Sequence, residues 1–167
     1  MSVTEAWLLE SNDTLSIAIS DSEMIEYVHA PVIFSVPGSP KYCNHVLHWQ
    51  NNLVPVMDIG LLLSQSAAEV SKFMNLVAYQ DEPGSPLQYL AIQVRKPPEK
   101  IQVDDSQASE LSEEISASLL MPLCLSCFTR GDQSVLILDI PRLCSAEFRD
   151  QAGEIKNSRQ NILSKLN

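Results

Sequence analysis

The chain has few glycines and few basic residues, and both shortages exclude classes of function. Its 167 residues include 5 Gly, spaced so widely that neither a G-x-G-x-x-G fingerprint nor a phosphate-binding G-x-x-x-x-G-K loop occurs. Lysine and arginine together number 11 against 21 aspartates and glutamates, which gives a formal net charge of −10. Because nucleic acids and anionic membranes are bound through cations that neutralise phosphate, neither is an expected partner.

The sequence also lacks a long hydrophobic run. The longest apolar stretches, Leu53–Leu63 and Leu119–Phe128, are far shorter than the roughly 20 residues needed to cross a bilayer. The N-terminus has no basic segment followed by an apolar one, so no signal peptide is expected. We therefore predict a cytoplasmic protein without direct membrane insertion. In that compartment its 4 cysteines are expected to be free thiols.

Short β-branched or alternating runs, separated by turn residues, dominate the chain and are typical of a β-rich protein. Ser11–Thr14 reads as a hairpin turn, and Asn51–Asn52 as a two-residue hairpin loop, because Asn tolerates left-handed backbone. The predicted strands are Ala6–Glu10, Leu15–Ile19, Met24–His29, Val32–Val36, Tyr42–Gln50, Leu53–Met57, Asn75–Gln80, Gln88–Arg95, Ile101–Asp104, Leu119–Phe128 and Val135–Leu138.

One pattern occurs twice. V-P-V-M-D-I-G-L-L-L (Val54–Leu63) aligns with V-L-I-L-D-I-P-R-L-C (Val135–Cys144), 81 residues later. Asp is a good helix N-cap, so each copy predicts a strand followed by a short helix. Each half then holds about five strands, which favours two β-barrels packed together over a single sandwich. We place subdomain one at about 4–65, subdomain two at about 70–145 and a C-terminal helix at about 146–166.

Histidine and cysteine pairs are the main candidates for chemistry. Cys124 and Cys127 form a C-x-x-C, and His45 and His48 have the same spacing. On a strand this spacing sends the two side chains to opposite faces, so neither pair is expected to chelate a metal. No catalytic constellation is recognisable, and we predict no metal, cofactor or enzymatic activity. A metal- or thiol-redox-binding β-protein that also uses Cys43 remains an alternative.

Two motifs and the closing strand carry a family resemblance. With V-P-G-S-P (Val36–Pro40), L-V-P-V-M-D-I (Leu53–Ile59) and V-L-I-L-D-I-P-R-L (Val135–Leu143), nearly the whole chain resembles the CheW-like family, the scaffold proteins of bacterial chemosensory arrays. The resemblance implies two five-stranded, SH3-like β-barrels with short helices. It also implies a non-catalytic adaptor whose partners are the regulatory domain of a histidine kinase and the cytoplasmic tip of a chemoreceptor.

The chain departs from that family in the hairpin that ends subdomain one. Where the family reads G-V-x-N-L-R-G, residues 45–51 read H-V-L-H-W-Q-N. Both glycines are absent, and Gln50 replaces an arginine on the family's contact face, so no bidentate charge pair can form there. A glutamate typical of the third strand is retained as Glu26. The resemblance thus implies a divergent coupling protein, by analogy one that controls type IV pilus twitching, or an organiser that has lost kinase coupling. The implied partner-binding residues are Met24, Glu26, Tyr27, His48, Gln50, Asn51, Asn52 and Val54.

Overall fold

The computed structural model describes residues 3–63, 71–153 and 165. Strands dominate this part of the chain and its helices are short, so the predicted mainly β class is confirmed. The strands are β1 (Val3–Glu10), β2 (Leu15–Ser20), β3 (Met24–His29), β4 (Ile33–Ser35), β5 (His45–Trp49), β6 (Asn52–Met57), β7 (Phe73–Tyr79), β8 (Gln88–Val94), β9 (Glu99–Asp104), β10 (Cys124–Arg130) and β11 (Gln133–Leu138). The short helices are α1 (Gly60–Leu63), α2 (Glu113–Ser116) and α3 (Ile140–Leu143), with 3-10 turns at Lys41–Cys43, Asp105–Gln107 and Met121–Leu123.

Sheet A has five strands in the order β10-β11-β2-β1-β9. Its neighbours are antiparallel except for β11 and β2, which run parallel. The sheet curls back on itself, because Ala108, which follows β9, forms a bridge with Phe128 of β10. The next N–H, that of Ser109, donates to the carbonyl of Cys127 at 2.9 Å. Sheet A is therefore closed into a small barrel.

Sheet B has six strands in the order β3-β7-β8-β6-β5-β4. Its outermost strands, β3 and β4, are consecutive in sequence and joined only by residues 30–32. Ala30 makes the bend with φ of 49°, and its N–H donates to the carbonyl of Lys72 at 2.6 Å. The chain itself thus links the two ends of the sheet around a common interior.

Three apolar cores follow from this arrangement. The interior of sheet A is filled by residues such as Leu8, Phe128 and Val135, and the interior of sheet B by residues such as Leu47 and Met74. The largest core lies between the sheets and draws on both, together with all three short helices. Two β-layers packed over a shared core account for the mainly β, two-subdomain fold.

The sheets do not follow the subdomain boundaries predicted at about 4–65 and 70–145. Strands β1 and β2 belong to the first half of the chain but lie in sheet A with β9, β10 and β11, where β1 pairs with β9 and β2 with β11. Conversely, β7 and β8 belong to the second half but lie in sheet B. The prediction assumed that each half pairs within itself. In the structure, the parallel pairings of β11 with β2 and of β6 with β8 join strands that are not consecutive in sequence. Sheet A has five strands and sheet B has six, where two five-stranded barrels were expected.

The internal repeat has a structural counterpart. Each copy ends a hairpin and continues into a capped helix, β6 into α1 and β11 into α3. The Asp58 carboxylate accepts a hydrogen bond from the N–H of Leu61 at 3.4 Å, and that of Asp139 accepts one from Arg142 at 3.2 Å. The predicted N-cap role of Asp139 is confirmed, and Asp58, two residues before Gly60, makes the corresponding hydrogen bond to an amide of the first turn of α1.

At three of the predicted strand boundaries that shift, a turn takes the place of the strand. Residues 41–43 and 121–123 form 3-10 turns before β5 and β10, so the strands predicted from Tyr42 and Leu119 begin later. The hairpin loop is Gln50–Asn51, and Asn52 already belongs to β6. Prolines at positions 40 and 122 precede or open these turns, and their fixed φ favours turn geometry over a continuing strand.

The C-terminal helix begins at residue 146 and is helical through residue 153. Ser145 Oγ accepts from the N–H of Phe148 at 3.1 Å, which caps the first turn. Phe148 is 1% exposed and meets Tyr42 edge-on, with ring centroids 5.7 Å apart. The predicted continuation to residue 166 lies outside the described residues, apart from Lys165. No helix in the described ranges is long and apolar enough to cross a membrane.

Candidate partner-binding site

The loop between β5 and β6 consists of two residues in the left-handed backbone region. Gln50 has φ of 45° and Asn51 has φ of 63°, while the flanking Trp49 and Asn52 face each other in the ladder. Positive φ at both central positions defines the type I′ turn, whose twist matches that of the strands it joins. Asn52 Nδ2 donates to the Gln50 carbonyl at 3.2 Å. The loop is therefore tightly formed, and both of its side chains are exposed.

Trp49 connects this hairpin to strand β3. Its indole Nε1–H donates a hydrogen bond to Oε2 of the Glu26 carboxylate at 3.0 Å, although β3 and β5 are not neighbours in the sheet. The Trp49 ring also packs against Tyr89 of β8, with centroids 5.2 Å apart and planes inclined at 60°. These contacts bring four of the implied binding residues to one end of sheet B: Glu26, Gln50, Asn51 and Asn52.

Met24 and Tyr27 lie on the other side of β3 and pack against the core between the sheets. The Tyr27 ring stacks on Phe73 at 6.0 Å. Met24 Sδ accepts a hydrogen bond from Nδ2 of Asn75 at 2.8 Å, and the buried Asn75 Oδ1 has no partner within the described residues. Both Met24 and Tyr27 are half-buried, so only their exposed edges are open to a partner.

Strands β4, β5 and β6, together with Val32 immediately before β4, present a largely apolar surface to solvent, here called the outer face and defined by Val32, Phe34, His48 and Leu53. Val32 is 65% exposed, Phe34 53% and Leu53 68%, and His48 is the cross-strand neighbour of Leu53. Strand β4 also ends the sheet, so one of its backbone edges has no strand partner among the described residues. Large apolar side chains grouped on an exposed sheet edge are typical of protein–protein contacts.

Val54 differs from the other implied binding residues because its side chain is enclosed. It is 1% exposed and lies in the interior of sheet B. Neighbouring residues of a strand point to opposite faces, so Leu53 faces solvent where Val54 faces the core. Val54 therefore supports the hairpin from within, and Leu53 is the exposed residue beside it. Alternation in the sequence shows that Leu53 and Val54 point to opposite faces of β6, and the structure decides that Leu53 is the exposed one.

The charge distribution sets this part of the surface apart. Residues 27–57 contain no Asp or Glu, although the whole chain contains 21. Lys41 is the only Lys or Arg in the same stretch. The outer face and the hairpin loop thus form a neutral surface on a protein of net charge −10, with Glu26 at the border. Depletion of charge in an apolar patch is characteristic of the centre of a protein interface.

The histidines do not form a metal site with other residues of the described ranges. His45 is half-buried and His48 is exposed, because they point to opposite faces of β5, as predicted. Within residues 3–63 and 71–153, no group of three or more His, Cys, Asp or Glu side chains is arranged to hold a metal ion.

The C-x-x-C pair behaves differently from the prediction. A β-bulge between Cys124 and Ser126 adds one residue to the strand, so Cys124 and Cys127 both pack on the core between the sheets instead of pointing to opposite faces. Burial raises the pKa of the Cys43 and Cys124 thiols, and it raises the pKa of Cys144 to about 11. Since the thiolate is the reactive and metal-binding form, these raised pKa values disfavour thiol chemistry.

Comparisons with known proteins agree with one another. A family model described as the CheW-like domain matches residues 7–148. Among solved structures, the chain is similar to the scaffolding protein TtCheW from Thermoanaerobacter tengcongensis. That match has a TM-score of 0.65 at 13% sequence identity and covers 87% of this chain and 90% of that one. At this identity the structural likeness shows the fold alone. No curated protein matches the sequence significantly.

Proposed function

The chain belongs to the CheW-like domain family, and on that premise we propose that it is a non-catalytic adaptor coupling chemoreceptors to a CheA-type histidine kinase. Its proposed partners are the kinase regulatory domain and the cytoplasmic tip of a receptor. The observation that carries this proposal is the family match over residues 7–148 on a fold of two packed β-sheets. A neutral, apolar outer face beside an exposed hairpin loop adds a surface suited to protein partners.

The proposed contact surface combines the end of sheet B with the outer face. It retains seven of the residues implied by the family resemblance and replaces the enclosed Val54 with Leu53. The apolar side chains would supply most of the binding free energy, while the polar loop would set the orientation. The full set is Met24, Glu26, Tyr27, Val32, Phe34, His48, Gln50, Asn51, Asn52 and Leu53.

Calorimetric titration of the protein with the kinase regulatory domain, and separately with the receptor tip, tests this proposal. Leu53→Glu places a charge in the outer face and is expected to weaken binding at least about 10-fold, because a desolvated, unpaired charge is costly. Leu125→Glu is the matched control. Leu125 is 66% exposed, close to the 68% of Leu53, but it lies in β10 of sheet A. Binding of neither partner by the wild-type protein at tens of micromolar would refute the proposal.

The neutral hairpin loop favours a second candidate within the same family, an organiser that has lost kinase coupling. Gln50 occupies the loop position at which a guanidinium would form a bidentate charge pair, and its amide cannot. An organiser would bind one partner but would not assemble the ternary complex. Size-exclusion chromatography of receptor, kinase and this protein together separates the two candidates.

The controlled behaviour that we propose is twitching driven by type IV pili. Its support is the departure of residues 45–51 from the family's hairpin motif, which is consistent with a partner set different from that of a swimming-chemotaxis coupling protein. Deletion of the gene should reduce twitching expansion on agar and leave swimming through soft agar unchanged. The reverse pattern would assign the protein to flagellar chemotaxis.

A further inference from the structure

Each sheet carries one tryptophan that donates its indole N–H to a carboxylate. In sheet A, Trp7 Nε1 donates to Oδ1 of Asp21 at 2.9 Å. In sheet B, Trp49 Nε1 donates to Oε2 of Glu26 at 3.0 Å. These are the 2 tryptophans of the chain, and both make the same kind of hydrogen bond. The two pairs can therefore be compared directly, with one serving as the reference for the other.

The pair in sheet A holds a cation. Lys100 Nζ lies 5.7 Å from the centroid of the Trp7 ring, 3.8 Å from Oδ1 of Asp21 and 3.0 Å from Oε2 of Glu5. The ammonium is attracted by the π-face of the indole and by the carboxylate that the same indole orients. An indole–carboxylate pair in this protein is thus a workable receptor for a basic side chain.

The pair in sheet B has the same two parts, the indole ring of Trp49 and the carboxylate of Glu26. Among the described residues, however, no lysine or arginine occupies the place that Lys100 takes in sheet A. Glu26 is exposed, and the ion pairs found within residues 3–63 and 71–153 do not include it. The acids that they include are Glu5, Glu10, Asp13, Asp21 and Glu99.

The setting of Glu26 points to a protein as the source of the missing cation. A single exposed carboxylate beside aromatic rings binds a free cation weakly, because water and salt screen the attraction. The exposed loop, Gln50 and Asn51, lies at the same end of sheet B as Glu26, and a protein surface that covers this end would exclude water from Glu26. In that drier setting an opposite charge is attracted more strongly.

We propose that the Trp49–Glu26 pair is a docking point for a basic side chain, lysine or arginine, presented by the protein partner. The inference rests on the proposed function, since the partner in question is the kinase regulatory domain or the receptor tip. Glu26 contacts the partner's cation directly. Trp49 is a positioning residue, because its N–H fixes the carboxylate and its ring offers the second attractive surface.

The test compares Glu26→Gln with Asp21→Asn in calorimetric titrations against whichever of the two partner domains binds the wild-type protein. Both substitutions remove one charge and keep an oxygen that can accept the indole hydrogen bond, so the fold is preserved in each. We expect Glu26→Gln to weaken binding about 10-fold, because it removes one member of a charge pair inside the interface. Asp21→Asn should change the affinity less than about two-fold, because Asp21 is remote from the interface. Glu26→Lys should weaken binding further.

Salt dependence and charge exchange provide the second readout. Raising the salt concentration should weaken wild-type binding several-fold and leave the Glu26→Gln complex much less affected. A partner in which the contacting Lys or Arg is changed to Glu should regain affinity for Glu26→Lys. Equal affinity of wild type and Glu26→Gln, or equal loss in Glu26→Gln and Asp21→Asn, would overturn the inference and leave the adaptor proposal standing. If the wild-type protein binds neither domain, the adaptor proposal fails and the inference fails with it.

Discussion

The hydrogen bond from Trp49 to Glu26 should stabilise the fold as well as hold the hairpin against β3. A double-mutant cycle isolates it. Trp49→Phe keeps a ring against Tyr89 but removes the N–H donor, Glu26→Ala removes the acceptor, and the double variant removes both. Urea unfolding of all four proteins, followed by circular dichroism, gives the coupling free energy between the two side chains.

The expected coupling is about 1 kcal/mol. A typical intramolecular hydrogen bond contributes about 0.5–1.5 kcal/mol net, more to a charged acceptor and less where water competes. The negative charge of the Glu26 carboxylate strengthens the 3.0 Å hydrogen bond, and the exposure of Glu26 to water weakens it. We therefore take the middle of the range of about 0.5–1.5 kcal/mol. For a chain of 167 residues, about 1 kcal/mol corresponds to a shift in Tm of about 2–4 °C.

The same cycle on Trp7 and Asp21 is the control. That bond has the same length within 0.1 Å, but Lys100 also engages Asp21, so a similar or smaller coupling is expected there. A coupling below about 0.3 kcal/mol for Trp49 and Glu26 lies within the usual scatter of additivity. If the slope of the unfolding free energy against urea concentration is the same in all four proteins, so small a coupling would refute the view that this bond ties the hairpin to β3.

Three further outcomes are expected, one for the Asp139 cap and two for the buried thiol of Cys144. Asp139→Ala removes the acceptor for the Arg142 N–H and should lower the free energy of unfolding by about 1 kcal/mol, while Asp139→Asn should lower it much less; equal losses in the two variants would contradict the cap. Burial raises the pKa of Cys144 from 9.0 to about 11, so at pH 8 mass-spectrometric mapping should show it alkylated by iodoacetamide far more slowly than a cysteine in a peptide. Rapid labelling of Cys144 at pH 8 in the folded protein would contradict its burial. Because the pKa of this thiol is higher in the folded than in the unfolded protein, the stability linked to it is complete below pH 9 and is lost as the pH rises towards 11.

Local chemistry accounts for what was predictable in the fold. Alternating and β-branched runs place most strands to within a few residues, since the two-residue period and the turn residues act over short distances. The Asp58 and Asp139 caps were readable for the same reason, because an N-cap depends on a side chain and an amide three residues apart. The one-residue shift of the hairpin loop to Gln50–Asn51 was not readable, since Asn51–Asn52 offers the better local match to left-handed backbone.

The candidate site was predictable in part. The family resemblance pointed to the hairpin and to Glu26, and the structure brings Glu26 and the loop to one end of sheet B through Trp49. The resemblance also named Val54, which strand alternation encloses. It did not point to Phe34 or Leu53, whose exposure depends on which face of the curled sheet meets the core. The predicted opposition of Cys124 and Cys127 failed because a β-bulge shifts the alternation by one residue.

The order of amino acids was enough to establish a β-rich, strongly acidic chain with a repeated strand–Asp–helix unit and no nucleotide-binding loop, because these depend on composition and on neighbours a few residues apart. The tertiary structure alone decided which strands share a sheet. The parallel pairing of β11 with β2 closes a loop of more than 100 residues, and its stability comes from apolar surface buried between distant segments, which no local pattern encodes. The same long-range closure set Glu26 beside Trp49 and left the outer face exposed to solvent.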